Sequence, residues 1–360
     1  MTATMTWVGL DVHARSTHAA VIDRESGVLT RARFGGGSEE VVAWLAQLPQ
    51  PIHGCYEAGP TGYALYRAAT AAGLRVEVVA PSKTPRAPGD RVKTDRKDAE
   101  LLVRLLLAGS LSPVAVPSEL FEAARDLARA REQLRADLAR VRHRVSKLLL
   151  RYGRVYERSG GTWTQQHRQW LARQRFPHAP SELAYLDYLA AIDGLLARRA
   201  ALDERLSRLA QEPELWPTVA RLRCFRGIET LTALVLCLEI GDFDRFQRPG
   251  QLAAWLGLVP SLNQSGESET RGAITKTGSG YARRLLVEAA WHYTRQPLIG
   301  VTLRNRQQGQ PEQVLQIAWR AQHRLYRLHQ RLRARGKPGN IAVVAAAREL
   351  ACFLWAAAMA

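Results

Sequence analysis

Between Ser118 and Gly153 the chain contains neither glycine nor proline, while Leu127, Leu134, Leu138, Val141, Val145 and Leu148 recur at spacings of three, four and seven. That spacing puts one apolar stripe on a helix, so a single long helix is predicted with Ser118 as its N-cap. At about 1.5 Å per residue it would span roughly 50 Å, more than a small domain is wide. Its stripe therefore needs a partner. A second stripe, Leu183, Leu186, Leu189, Leu195, Leu202, Leu206 and Leu209, is predicted on a helix that starts at Ser181 and is ended by Pro213 and Pro217. Residues 153–170, rich in Gly, Thr and Trp, with Pro177 and Pro180, form the loop between them. The two helices are expected to pair as a coiled-coil arm. An arm at mid-chain implies three parts: an N-terminal domain over residues 1–112, the arm over 113–212 and a helical domain over 213–360.

The first part reads as strands. A turn signal at Glu25, Ser26 and Gly27 separates strand-like residues 18–23 from 28–33. A helix over 39–48, an apolar strand at 52–56, a helix over 61–72 and a strand at 76–79 follow. Three hairpin-joined strands and then helix-separated strands is the order of an RNase H-like mixed sheet, so the fold class expected is α/β plus all-α. Residues 81–89 hold three prolines and must be a loop before a helix that begins near Asp95. From 218 onward the pattern is helical, with one long loop at 259–276. No repeat of 20 to 50 residues is found.

The chain carries 51 Lys+Arg against 33 Asp+Glu, a net charge of +18. A surplus of that size attracts polyanions, so nucleic acid or an anionic membrane surface leads the partner classes. The membrane fits poorly. Residues 1–6 carry no basic start to an apolar run, and the apolar tail from Ile341 is interrupted by Arg348 and Glu349, which suits a buried helix. Cys55, Cys224, Cys237 and Cys352 lie far apart with no CxxC pair, so neither a disulfide framework nor a zinc knuckle is indicated. A reducing cytoplasm is expected.

Two constellations carry the chemistry. Asp11 lies within the first strand and Glu57 ends the apolar strand at 52–56. Asp95 and Asp98 stand three apart at a helix start, where their oxygens can converge. A carboxylate inside an apolar strand is costly unless paired, hydrogen-bonded or bound to a cation. Four such acids offer the hard oxygen ligands that two Mg²⁺ ions need. Each acid also has a bland reading: Asp95 and Asp98 as helix cap and first-turn acid, Asp11 as the partner of an arginine, Glu57 as a solvated strand end. The second constellation runs from Gly257-Leu258-Val259-Pro260 through Ser265-Gly266 to Ile274-Thr275-Lys276-Thr277-Gly278, then Arg283 and Arg284. It presents a loop hydroxyl with cations behind it that suit phosphate oxygens, or else a polar surface loop. No His-Asp pair stands near Ser265 for a protease-like triad. Upstream, the Arg226-Gly227-Ile228-Glu229 turn between helices could aim N–H groups at a phosphate or be a plain turn. Between Arg295 and Lys337 there are ten Lys/Arg, including Arg324, Arg327 and Arg331, against one acid, Glu312. Interleaved with Trp319 and Tyr326, that run favours contact with a phosphate backbone over a merely solvated face.

Gly9-Leu10-Asp11-Val12-His13, Tyr56-Glu57-Ala58, Lys93-Thr94-Asp95-Arg96-Lys97-Asp98-Ala99, Gly257-Leu258-Val259-Pro260, Ser265-Gly266 and Ile274-Thr275-Lys276 together resemble the DEDD transposases of bacterial insertion sequences, the IS-one-ten family. The resemblance covers nearly the whole chain, and its C-terminal motifs are the specific ones, since the acids alone also suit RuvC-type junction resolvases. It implies a RuvC-like domain whose Asp11, Glu57, Asp95 and Asp98 hold Mg²⁺, a coiled-coil arm, and a transposase domain whose Ser265 forms a covalent phosphoserine bond with DNA. It also implies excision and insertion of the protein's own element and a structured non-coding guide RNA. The leucine stripe of so long a helix is expected to drive self-association as a dimer or tetramer, and the expected place is the bacterial cytoplasm, at the nucleoid. Lys276, Arg283, Arg284, Arg324, Arg327 and Arg331 are the expected nucleic-acid contacts. One departure is Gln264, which precedes Ser265 where family members often carry a second hydroxyl residue. The rival readings are a junction-resolving nuclease that uses water, a non-catalytic nucleic-acid scaffold, and an actin-like ATPase, for which the later Asp-x-Gly-Gly loop is missing from the sequence.

Overall fold

The computed structural model describes residues 5–23, 26–85, 94–157, 161–265 and 268–360. Glu25 of the first turn signal, Lys93, residues 86–89 of the proline loop and Gly266 lie outside the described residues. The chain divides into two compact units, residues 1–117 and 118–360.

The first unit is built on alternation. Strands Thr6–Val12 (β1), Ser16–Ile22 (β2) and Leu29–Gly35 (β3) form an antiparallel meander, and helix Ser38–Gln47 (α1) follows. Ile52–Glu57 (β4), helix Ala64–Ala71 (α2) and Val76–Val79 (β5) then add two parallel strands, giving the order β3-β2-β1-β4-β5. Successive side chains in a strand point to opposite faces. Val8, Leu10, Val21, Tyr56 and Val78 fill one face with Val41 and Leu45 of α1 and Leu65 and Ala69 of α2. The other face, with Ala20, Ile22, Cys55 and Val79, is covered by Ala99, Leu102, Val103 and Leu106 of helix Asp95–Leu107 (α3). Gly9 is what lets α3 lie so close: a Cβ there would stand 2.3 Å from the Ala99 carbonyl oxygen and 2.5 Å from the Val103 nitrogen. Arg31 of β3 fixes the same helix through Glu100 at 2.6 Å.

The second unit opens with helix Glu119–Arg151 (α4), whose N-cap Ser118 accepts a hydrogen bond from the Phe121 N–H as the sequence predicts. Helix Gln165–Ala172 (α5) lies within the stretch expected to be a loop. Thr164 caps it, and its own apolar residue Leu171 is buried beneath the aromatic rings of Trp163 and Trp170. Helix Ala179–Leu209 (α6) then runs back along α4, so that Leu138, Val145 and Leu148 meet Tyr185 and Ile192 while Ala124 and Ala128 meet Leu206. Arg131 to Asp203, at 2.7 Å, ties the pair. The rest is Trp216–Leu222 (α7), Thr230–Ile240 (α8), Pro249–Trp255 (α9), strands Pro260–Ser265 (β6) and Ser268–Ile274 (β7), and helices Gly280–Ala290 (α10), Val301–Gln307 (α11), Glu312–Ala334 (α12) and Gly339–Ala358 (α13). α8 is buried all round from Ala233 to Ile240 and forms the centre of this core. α13 is long and apolar enough to cross a membrane, yet its Ala342, Val343, Ala346, Leu350 and Leu354 are core residues here. The stretch 259–276, expected to be one long loop, is instead an antiparallel hairpin. Its strands are exposed almost throughout, so there is no buried face to imprint an apolar alternation on the sequence.

Candidate metal centre and serine hairpin

Strand register decides where the first acids point. Leu10 pairs with Tyr56 across β1 and β4, both on the α1/α2 face, so the next residues along, Asp11 and Glu57, turn together to the α3 face. α3 runs opposite to β1: Gly9 meets Ala99 and Val103, so the helix start lies over Asp11. The cap of α3 is Thr94, whose side chain accepts from the Lys97 N–H. Asp95 is thereby spared the capping role that its position in the sequence suggests. Its carboxylate faces His13 Nε2 at 3.6 Å and His18 Nε2 at 3.8 Å, while His13 Nε2 stands 3.0 Å from Asp11 Oδ2. Asp11, His13 and Asp95 offer three ligand atoms within 4.8 Å of one another, the one such group among the described residues. Glu57 and Asp98 stand outside that tight group but beside it: Glu57 ends the neighbouring strand, and the Asp98 charge acts on Asp11.

Burial raises the Asp11 pKa above the ordinary carboxylate value, and the charges of Asp98 and Asp95 raise it further, while His13 pulls it down. A half-buried carboxylate destabilised by two like charges is relieved by a cation. The donor set suits one by its chemistry, two carboxylates and an imidazole whose ligand atoms lie within 4.8 Å of one another, against about 4.2 Å between opposite ligands of an ion bound at about 2.1 Å. His13 is the member of the group that the four-acid reading leaves out. It closes the Gly9-Leu10-Asp11-Val12-His13 motif, in a turn where its N–H bonds the Ser16 carbonyl, but its place between two carboxylates shows only when α3 is laid across the strand.

Ser265 belongs to the second unit. It is the last residue of β6, exposed, and pairs with Ser268 at the tip of the hairpin. The hairpin is mounted by its flanking motifs. Gly257 and Gly278 both have positive φ, +66° and +67°, and a Cβ on them would lie 2.3 Å from the Thr277 nitrogen and 2.1 Å from the Trp255 carbonyl oxygen. Only glycine suits either place. Thr275 and Lys276 donate backbone N–H groups to Val259 and Gly257, and Thr277 Oγ1 donates to the Ala254 carbonyl at 3.1 Å. Arg283 completes the clamp by donating to the Leu256 and Thr277 carbonyls at 2.9 and 2.7 Å.

Three of the six expected nucleic-acid cations thus serve the fold. Arg283 binds carbonyls, Arg284 pairs with Glu132 and Glu288, and Arg324 forms a two-point pair with Glu349 at 2.8 and 2.9 Å. Lys276 is exposed at the hairpin base, in a left-handed conformation with φ +57°. Arg327 and Arg331 lie on the exposed side of α12. The Gly227 turn is required by packing, since a Cβ there would meet the Ala289 carbonyl oxygen at 2.9 Å. A cavity of about 610 Å³ beside the hairpin base is lined by Arg125, Arg129, Glu132, Glu239, Trp255 and Tyr281. Its arginines are engaged by the Leu238 carbonyl and Glu239.

Comparison with known proteins gives two matched segments. Residues 8–153 match a family model described as a transposase, of the DEDD type, and residues 219–299 match the transposase IS116/IS110/IS902 family. The protein y4qE of Sinorhizobium fredii, which bears a transposase name, is 38% identical over 98% of this chain and 88% of its own. A transposase for insertion sequence element IS1533 from Leptospira borgpetersenii is 31% identical over 92% of this chain and 97% of its own. A transposase for insertion sequence element IS1328 from Yersinia enterocolitica is 25% identical over 80% and 84%.

Proposed function

This chain belongs to the IS116/IS110/IS902 family of transposases, enzymes that cleave and rejoin DNA, and on that premise we propose a metal-dependent recombination in which Ser265 is the nucleophile. The observation that carries the metal dependence is the convergence of Asp11, His13 and Asp95 under the start of α3, and resemblance to the family supports Ser265 as the nucleophile. In this reading Asp11 and Asp95, with Glu57 and Asp98 beside them, hold Mg²⁺. When bound, the ion supplies Lewis-acid charge that lowers the pKa of the serine hydroxyl and neutralises the attacked phosphate. Ser265 Oγ attacks phosphorus, the bond from phosphorus to the leaving deoxyribose oxygen breaks, and the hydroxyl proton leaves with that oxygen. The phosphoserine ester keeps the energy of the broken bond for rejoining. Lys276, Arg327 and Arg331 hold backbone phosphates.

The finer architecture belongs to the same proposal. A meander extended by two parallel strands supports an RNase H-like, RuvC-type first unit, and the antiparallel α4–α6 pair supports a coiled-coil arm. Resemblance to the family supports excision and insertion of the protein's own element, a structured RNA guide, a dimer or tetramer, and action at the bacterial nucleoid.

Labelled DNA incubated with Mg²⁺ and run on denaturing gels tests the mechanism. Wild-type protein is expected to give a protein–DNA adduct, Ser265→Ala neither adduct nor recombination, and Asp11→Asn a folded, DNA-binding protein that cannot cleave. Free ends released at the normal rate by Ser265→Ala would make water the nucleophile and the protein a resolvase-like nuclease.

A further inference from the structure

We propose that His13 is a metal ligand, so that the site is a mixed nitrogen–oxygen centre which binds Mn²⁺ more tightly than Mg²⁺. The inference rests on the reading that Asp11 and Asp95 hold the metal, and it adds a residue that the four-acid pattern omits. His13 stands just past the end of β1, in the turn to β2, and its ring lies against the Asp11 carboxylate. Nε2 lies 3.0 Å from Asp11 Oδ2 and 3.6 Å from Asp95 Oδ1. Neighbouring ligands of one ion, each about 2.1 Å from it and at right angles, are separated by about 3 Å. A single N–H···O bond accounts for the first distance. The second, at 3.6 Å, is an ion-pair distance beyond hydrogen-bond length, and together the two set one nitrogen and two carboxylate oxygens around a common point. The side chain of His13 is 49% exposed, so packing does not force the ring inward over the carboxylates.

The consequence is selectivity. Mg²⁺ takes oxygen donors and keeps its waters, while Mn²⁺ shares its taste for carboxylates and begins the first-row series along which affinity for a site with a nitrogen donor rises. His18 is the rival nitrogen, 3.8 Å from Asp95 Oδ2 and paired across the strand with Asp11.

The test is pulsed electron paramagnetic resonance on the full-length protein with Mn²⁺, which reads ¹⁴N modulation from a coordinated imidazole directly, together with Mn²⁺ titrations. Wild type and His18→Gln are expected to show the modulation. His13→Gln should lose it, bind Mn²⁺ about tenfold or more weakly, and lose most of the preference over Mg²⁺. Mn²⁺ bound in an Asp11-dependent way with no ¹⁴N modulation, or with modulation that survives His13→Gln, overturns the role of His13 and leaves the carboxylate site standing. Mn²⁺ binding that ignores Asp11→Asn overturns the metal reading underneath.

Discussion

Gly9 has no functional group, yet the approach of α3 to the sheet depends on it. A methyl group at this position meets the backbone of α3 at 2.3 and 2.5 Å, and backbone cannot swing aside as a side chain can. Gly9→Ala should therefore cost about 1–3 kcal/mol and lift the start of α3 from Asp11, weakening metal binding along with stability. Thermal melts with and without Mn²⁺ check both. Asp11 behaves oppositely. Burial holds its pKa above the ordinary value, so in the metal-free protein its protonated form is the one that the fold favours. That contribution is present at acid pH and lost as pH rises through the raised pKa. Asp11→Asn, which cannot ionise, should melt higher than wild type near neutral pH in chelator, with the gap closing on acidification. A mutant melting lower at every pH would mean that the carboxylate is structural. On the proposed metal role, activity and stability should pull apart at this residue, as they do where a charge is kept for chemistry.

At the scale of elements, the arginines separate into those that build the fold and the exposed ones proposed to meet a polyanion. Arg283 anchors the β6–β7 hairpin and Arg324 ties α12 to α13 through Glu349. Replacing either by Gln should leave the log–log salt slope of DNA binding unchanged, whereas removing the charge at Arg327 or at Arg331 should, on the proposed phosphate contacts, flatten it by about 0.9. Filter-binding isotherms across salt concentrations measure this, and a slope that moves with Arg324 would show that its pair with Glu349 opens on DNA. How far such things are legible in the sequence follows from what each element buries. β1 and α4 are legible because each buries a face, leaving Val8 and Leu10, or Leu134, Leu138 and Val145, as a period in the sequence. The serine hairpin is not, since Leu262 is exposed and its neighbours are polar. Its glycines are visible as a motif, but their purpose depends on Trp255 and Thr277 lying close enough to exclude a Cβ. The four acids stand out by residue type and spacing. That Thr94 and not Asp95 caps α3, and that His13 stands beside Asp95, require the crossing of α3 over β1, a contact between segments more than about 80 residues apart in the chain.

On the scale of the whole molecule, the acids and the serine are held by different cores. Asp11 and Asp95 depend on the sheet sandwiched between α1/α2 and α3, within residues 1–117. Ser265 depends on a hairpin rooted in helices of residues 118–360, around buried α8. Each core is sizeable, so each unit should melt cooperatively in its own right, and calorimetry should resolve two transitions. The proposed metal then acts as a label. A ligand that binds only the folded state stabilises it by RT ln(1 + [L]/Kd), about 2.7 kcal/mol at a hundredfold excess over Kd. For a unit of this size that raises the midpoint by roughly 10 °C. Mn²⁺ should shift the transition that Gly9→Ala lowers and leave the other in place, and chelator should reverse the shift. Ser265→Ala should move neither transition, because the side chain is exposed at a hairpin tip. If Mn²⁺ shifts both transitions together, or the protein melts in one step, the units are coupled and the acids and serine share one cooperative structure before DNA arrives. If only the first moves, the metal site is complete within residues 1–117, without the serine.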